Sequence, residues 1–140
     1  QDENMARQYR TVEGEWSGTV NTPVNLTTFG ADTAIGPVKV PANASRLVEF
    51  RYAIGATVDT AADSAAYLLR LAGKGMKDGD QDFLLGAVGG GVTNTGTVFV
   101  PSQSHPVDLP VVPNETITVS VQYTGSTIPA NTGGIELVFE

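Results

Sequence analysis

Apolar side chains recur along this chain with a dominant spacing of two. In SRLVEFRYAIGATV (45–58), Val48, Phe50, Tyr52, Ile54 and Val58 fall on one face and Glu49, Arg51 and Thr57 on the other. Successive side chains of a pleated strand point to opposite sides, so such a segment has one face for a core and one for water. TITVSVQY (116–123) repeats the pattern, with Ile117, Val119, Val121 and Tyr123 set against Thr118, Ser120 and Gln122. GIELVFE (134–140) groups Ile135, Leu137 and Phe139 opposite Glu136 and Glu140. TVEGEWSGTV (11–20) groups Val12, Trp16 and Val20 opposite Glu13, Glu15, Ser17 and Thr19.

Shorter apolar runs fill the middle, around Val24 and Leu26, around Val38 and Val40, and over 67–71, 83–88 and 96–100. Turn residues separate these runs at the interval of an all-β sandwich, which predicts an antiparallel β-sandwich of about eight strands. The one stretch with room for a helical turn is DTAADSAAYLLRLAGKG (59–75). Val40-Pro41, Val100-Pro101 and Val112-Pro113 each close an extended segment, because proline lacks the N–H that a ladder needs. VPANASRLVEF and VPNETITVSV use the same turn twice before a long strand. The short segments 23–29 and 37–40 suit sheet edges. Residues 1–8, QDENMARQ, carry no period and no core residue, and read as a flexible or partner-docked arm ahead of a single domain over 9–140.

Composition narrows the job. A chain of 140 residues, 41% hydrophobic, is one domain that buries roughly two thirds of its unfolded surface without a staple. No apolar run approaches the roughly 18 residues of a membrane span. There is no cysteine, which removes disulfides, thiolate metal sites and cysteine nucleophiles. Fifteen acidic against eight basic residues give a formal charge of −7, a body that repels a phosphate backbone and is expected to bind no nucleic acid. The start at Gln1 is expected to reflect processing or excision from a longer chain. Three sequons, at Asn25, Asn43 and Asn114, matter only on an exported chain and are read as incidental.

Candidate chemistry concentrates in MKDGDQDFLLGAVGGGVTN (76–94). Asp78, Asp80 and Asp82 match the first three ligand positions of a calcium hand, but Phe83 stands where the turn glycine belongs and Gly89 where the bidentate glutamate belongs. The stretch therefore reads first as a polar hairpin loop, with a simpler calcium loop as the one metal site left open and no other cofactor expected. Gly86, Gly89, Gly90 and Gly91 lack the strand, spacing and helix of a phosphate cradle. They are expected instead to permit positive backbone dihedrals or close approach by a neighbouring chain, the latter together with Arg7 and Tyr9 from the start of the domain. His105, the one histidine, lies in PSQSHPVDLP beside Ser102, Ser104 and Asp108, which is too local for a nucleophilic relay, and is expected as an exposed loop residue. Glu13 and Glu15 share a strand face but lack the rest of a glycosidase run, and read as solvent-facing acids. Tyr9, Phe29, Tyr67 and Phe99 remain as surface rings for a sugar platform. No catalytic set emerges, and no small-molecule substrate is expected.

The order of short strands, the Val-Pro turns before long strands and the final strand at Glu140 resemble the single jelly-roll proteins of icosahedral virus capsids. The resemblance covers about 11–140. It implies a jelly-roll sandwich, a coat or capsid-decorating role in a virion, and partners that are copies of the chain and other shell proteins. One departure is plain: QDENMARQYR sets two arginines against Asp2 and Glu3, where many genome-enclosing shells carry a basic arm. The alternative is an extracellular binding module, a carbohydrate-binding or adhesin domain.

Overall fold

The computed structural model describes residues 7–16, 24–25, 27–28, 37–58, 64–88, 96–100, 102–125 and 130–140. Among these there is no helix. In chain order the strands are β1 (Gln8–Trp16), β2 (Val24–Asn25), β3 (Thr27–Thr28), β4 (Val38–Lys39), β5 (Arg46–Val58), β6 (Ala65–Ala72), β7 (Gln81–Val88), β8 (Gly96–Val100), β9 (Ser104–Pro110), β10 (Thr116–Gly125) and β11 (Ala130–Phe139). All pair antiparallel, in two sheets. The first runs β3-β1-β11-β5-β8 with β9 also on β5, and the second runs β2-β10-β6-β7 with β4 also on β10.

Counting β2 and β4 as one broken strand and β8 and β9 as another, with the two-residue β3 set aside as an addition at the edge beside β1, leaves eight. The first sheet is then first-eighth-third-sixth, and the second is second-seventh-fourth-fifth. That order, in which the chain wraps as a folded-over hairpin with its first strand against its last, is the jelly roll. It follows from the strands themselves: β1 and β11 pair over nine residues, from Gln8↔Phe139 to Trp16↔Asn131.

The core lies between the sheets and is built from the alternation in the sequence. Phe50, Tyr52 and Ile54 of β5, Ile135, Leu137 and Phe139 of β11, and Ile117, Val119, Val121 and Tyr123 of β10 are all buried. One expected residue is displaced. Alternation predicts Val48 in the core, but β11 and β9 both pair Leu47 and Glu49 and skip Val48. This β-bulge puts Leu47 in the core, with no exposure, and leaves Val48 only half-buried. A second bulge, between Tyr67/Leu68 and Gly86/Leu84, leaves Leu85 without a ladder partner. The hydroxyl of Tyr52, reaching across from the other sheet, donates to the Leu85 carbonyl. Tyr67 makes the reverse crossing, its hydroxyl donating to Asn131 Oδ1 in the first sheet.

Other expectations are corrected. Tyr67 is fully buried instead of being a surface ring; 65–72 is the strand that the apolar run over 67–71 suggested, and not the helical turn for which it had room. The helical alternative over 59–63 lies outside the described residues, as do Val20, Leu26, Phe29 and the side chains of Trp16 and Val58. The two proline turns stand side by side: Val40 N donates to Glu115 O at 2.8 Å, and Asn114 N to Val40 O at 3.0 Å. Asn114 takes a φ of 69°, the left-handed conformation that asparagine tolerates in a turn. The short strands β2, β3 and β4 border the sheets as expected.

Candidate functional site

The outer face of the first sheet carries a continuous charged network. Arg7, just ahead of β1, bonds Glu140 at 3.2 Å and Glu49 at 3.4 Å. Arg51 bonds the other oxygen of Glu49 at 3.0 Å and Glu136 at 3.1 Å, and its guanidinium lies 5.9 Å from the centre of the Tyr9 ring. Ser104 of β9 donates to Glu49 as well. Glu49 is the hub, its side chain only 12% exposed. The Ser104 hydroxyl and the Arg51 guanidinium hold its carboxyl below the usual carboxylate range. Beneath this network Val138 is fully buried, although it points opposite to Leu137 and Phe139; its ladder neighbours are Tyr9 and Glu49. Alternation alone gives no sign of that second, outer burial.

Arg7 and Tyr9, expected at an assembly interface, are thus brought together on this face, tied to the domain's own acids. Gln8 is already in β1 and donates to Asn43 Oδ1 in the first proline turn; residues 1–6 lie outside the described residues. The far end of the same face is smooth. Gly55 lies opposite Phe99, and a Cβ there would stand 3.1 Å from the ring, so the glycine lets the aromatic lie flat against the strand. Phe99 remains 73% exposed.

The second sheet's outer face is nearly uncharged. Arg70 and Asp82 form a two-pronged pair, Nε–Oδ1 2.7 Å and Nη2–Oδ2 2.9 Å, which holds the Asp82 carboxyl below its usual range. Beside them is a depression of about 150 Å³ lined by Leu68, Leu69, Arg70, Asp82, Ser120 and Gln122. Ligand pockets run roughly 300–1,000 Å³, so this one is too small to enclose a sizeable ligand.

The acidic stretch forms the β6–β7 hairpin loop. Asp78 and Asp80 are exposed there, while Asp82 is committed to Arg70, and among the described residues no three His, Asp or Glu gather as a metal shell. The loop is held by its backbone: Gly75 N donates to Thr116 O at 2.7 Å and Lys77 N to Pro110 O at 3.2 Å. Gly86 serves the domain's own packing. Its φ is +149°, and a Cβ would stand 2.9 Å from Val100 in the opposite sheet. Gly89, Gly90 and Gly91 lie outside the described residues.

His105 corrects the sequence reading most clearly. It is a strand residue in β9, half-buried, stacked on Phe50 with centroids 4.8 Å apart and planes within 7°, and edge-on to Phe83 at 5.8 Å. It closes the open side of the core. Glu13 is exposed as expected, and the Glu15 side chain is outside the described residues.

Among the solved structures similar to this chain are viral capsids and virus particles. The capsid asymmetric unit of cyanophage Pam1 aligns over 95% of this chain and 83% of that one, at 9% identity and a TM-score of 0.48. Infectious bursal disease virus, Gx strain, aligns over 94% of this chain at 10% identity and a TM-score of 0.46, and this chain spans about a third (32%) of that one. The CBM22-1–GH10 modules of a Clostridium thermocellum endo-1,4-beta-D-xylanase complexed with xylohexaose align over 94% of this chain and 26% of that one, at 8% identity and a TM-score of 0.34. No family model and no curated protein matches the chain. The chain has the jelly-roll fold. That statement stands on its own strand order, since superpositions this loose add nothing to it.

Proposed function

We propose that this chain is a structural subunit of a virion, a coat or capsid-decorating protein that acts through contacts with copies of itself and with other shell proteins. The observation that carries the reading is the strand order. A jelly roll that pairs its first strand with its last is a rigid, self-closed body whose working parts are its outer faces and flanks, and such bodies build viral coats. The charge of −7 supports a body that faces other protein and not nucleic acid. Such a role calls for no catalysis, cofactor or small-molecule substrate.

A glycan-binding module would need exposed rings on one platform. Tyr9 and Phe99 share the outer face of the first sheet, but their ladder rows pass through Val138 and Thr132, six residues apart on β11 and hence roughly 20 Å apart. Tyr9 is also occupied by Arg51. Electron microscopy of the purified chain, with and without calcium, beside a glycan-binding screen, separates the two readings. Discrete shells, or rings of capsomer size, are expected. Lone particles that bind glycans would replace this reading with the module.

A further inference from the structure

Residues 7–11 enter the first sheet without adding to its core. Arg7, Tyr9 and Arg10 are exposed, Gln8 and Thr11 are half-buried, and the first buried side chain of β1 is Val12. Among the described residues this half of β1 pairs with β11 alone, while β3 joins only at Val12 and Glu13. A segment held by one ladder, with no buried apolar side chain, belongs to the parts of a fold that open at low cost. Yet it covers a core-like residue. Val138 lies on the outer face between Tyr9 and Glu49 and is fully buried.

Besides the ladder, charge is what fastens 7–11 to the body. Arg7 reaches Glu49 at 3.4 Å and Glu140 at 3.2 Å, the first across the ladder from Val138 and the second two residues beyond it on the chain. The Tyr9 ring takes the Arg51 guanidinium at 5.9 Å, and the Gln8 amide donates to Asn43. Both Arg7 pairs are solvent-exposed on the arginine side, and such pairs contribute little individually.

We infer that residues 7–11 are a strap closed by charge, which opens from its Arg7 end when Glu49 is neutralised and so uncovers Val138 and the edge of β11 from Glu136 to Phe139. The rest of the sheet keeps its order, because β5 still pairs with the other edge of β11. Among the described residues, Glu49 is faced by Arg7 and Tyr9 from the strap, Arg51 from its own strand, Glu136 and Glu140 from β11, and Ser104 from β9. Arg46 and Asp108 pair with each other, and His105 stacks on Phe50. Three carboxylates thus share two arginines, and without the charge on Glu49 only Glu140 remains to hold Arg7. The Glu49 carboxyl titrates below the ordinary glutamate value of about 4.3, so the strap is closed at neutral pH and loosens as pH falls below that value. The device stands whether or not the chain assembles.

Backbone amide exchange along β1 tests it in the intact chain, comparing 8–11 with 12–16 in the same molecule. At neutral pH, Arg7→Ala should quicken exchange at 8–11 by roughly three- to tenfold and leave 12–16 unchanged. Arg7→Lys should restore most of the protection. Salt at about 1 M should loosen 8–11 in the wild type and add nothing in Arg7→Ala. After correction for intrinsic rates, lowering the pH from about 5 toward 3 should loosen 8–11 in the wild type and clearly less in Glu49→Gln. Exchange at 8–11 unmoved by Arg7→Ala, a quickening spread evenly over 8–16, or equal loosening by acid in both proteins would overturn the strap.

Discussion

At the scale of single residues, the interior depends on a few polar groups placed across it. Asn131 is 1% exposed, accepts from Tyr67 through Oδ1, and has no partner for Nδ2 among the described residues. Burial, with Tyr123 nearby, pushes the Tyr67 hydroxyl well above the usual phenol range, so it remains a donor at any physiological pH. Tyr67→Phe would strand the second polar atom of Asn131 and is expected to cost about 1–3 kcal/mol, while pairing it with Asn131→Leu should recover most of the loss. Denaturant midpoints of the three variants test this, and an unaffected Tyr67→Phe protein would contradict it. The sequence hid Tyr67 because AAYLLRLA marks its faces weakly, with Arg70 its one polar residue and Leu68 on the same outward side. It hid His105 for the opposite reason, since polar and proline neighbours disguise a residue that packs on Phe50.

Glu49 carries a pH dependence whose sign follows from its environment. Its folded carboxyl titrates below the unfolded one, so the contribution of Ser104, Arg51 and Arg7 is complete above the ordinary glutamate range, about pH 4.3, and disappears as pH falls through the folded value. Asp82 behaves in the same sense through Arg70. Stability should therefore fall as pH drops from about 5 toward 3, and less steeply in Glu49→Gln. Urea midpoints across that range that fell equally in both proteins would remove Glu49 as the cause.

At the scale of elements, alternation located the long strands β5, β10 and β11 well because each has one wet face. It failed where the ladder slips. A bulge inserts one residue and reverses the inward set beyond it, which no period of two can announce. Leu47→Ala is accordingly expected to cost about 2–5 kcal/mol as a fully buried residue, and Val48→Ala, at the half-buried bulge, clearly less. The reverse order in thermal or urea unfolding would mean that the bulge is misplaced. The strand β9 was read as a loop because Pro106 and Pro110 argue against a strand. On an edge, each proline can sit where no ladder N–H is needed, opposite Glu49 and Arg46.

At the scale of the whole molecule, the sequence exposed a two-layer β architecture but not the pairing of β1 with β11, because partners 115 or more residues apart leave no local trace. The candidate surface was legible only in part. Arg7 and Tyr9 share one face and Gly86 takes a positive φ beside Val100, one of the two uses expected of it, while the burial of Val138 beneath the charged face has no counterpart in the alternation. What results is a body with a charge-paired network on the outer face of its first sheet and, among the described residues, exposed Leu84 and Phe99 on the strands that end its two sheets. Sedimentation velocity over a wide concentration range asks directly whether such a body works by meeting its own kind. The account predicts species heavier than the 14.6 kDa chain that grow with concentration. A single 14.6 kDa species at every concentration and ionic strength would contradict it.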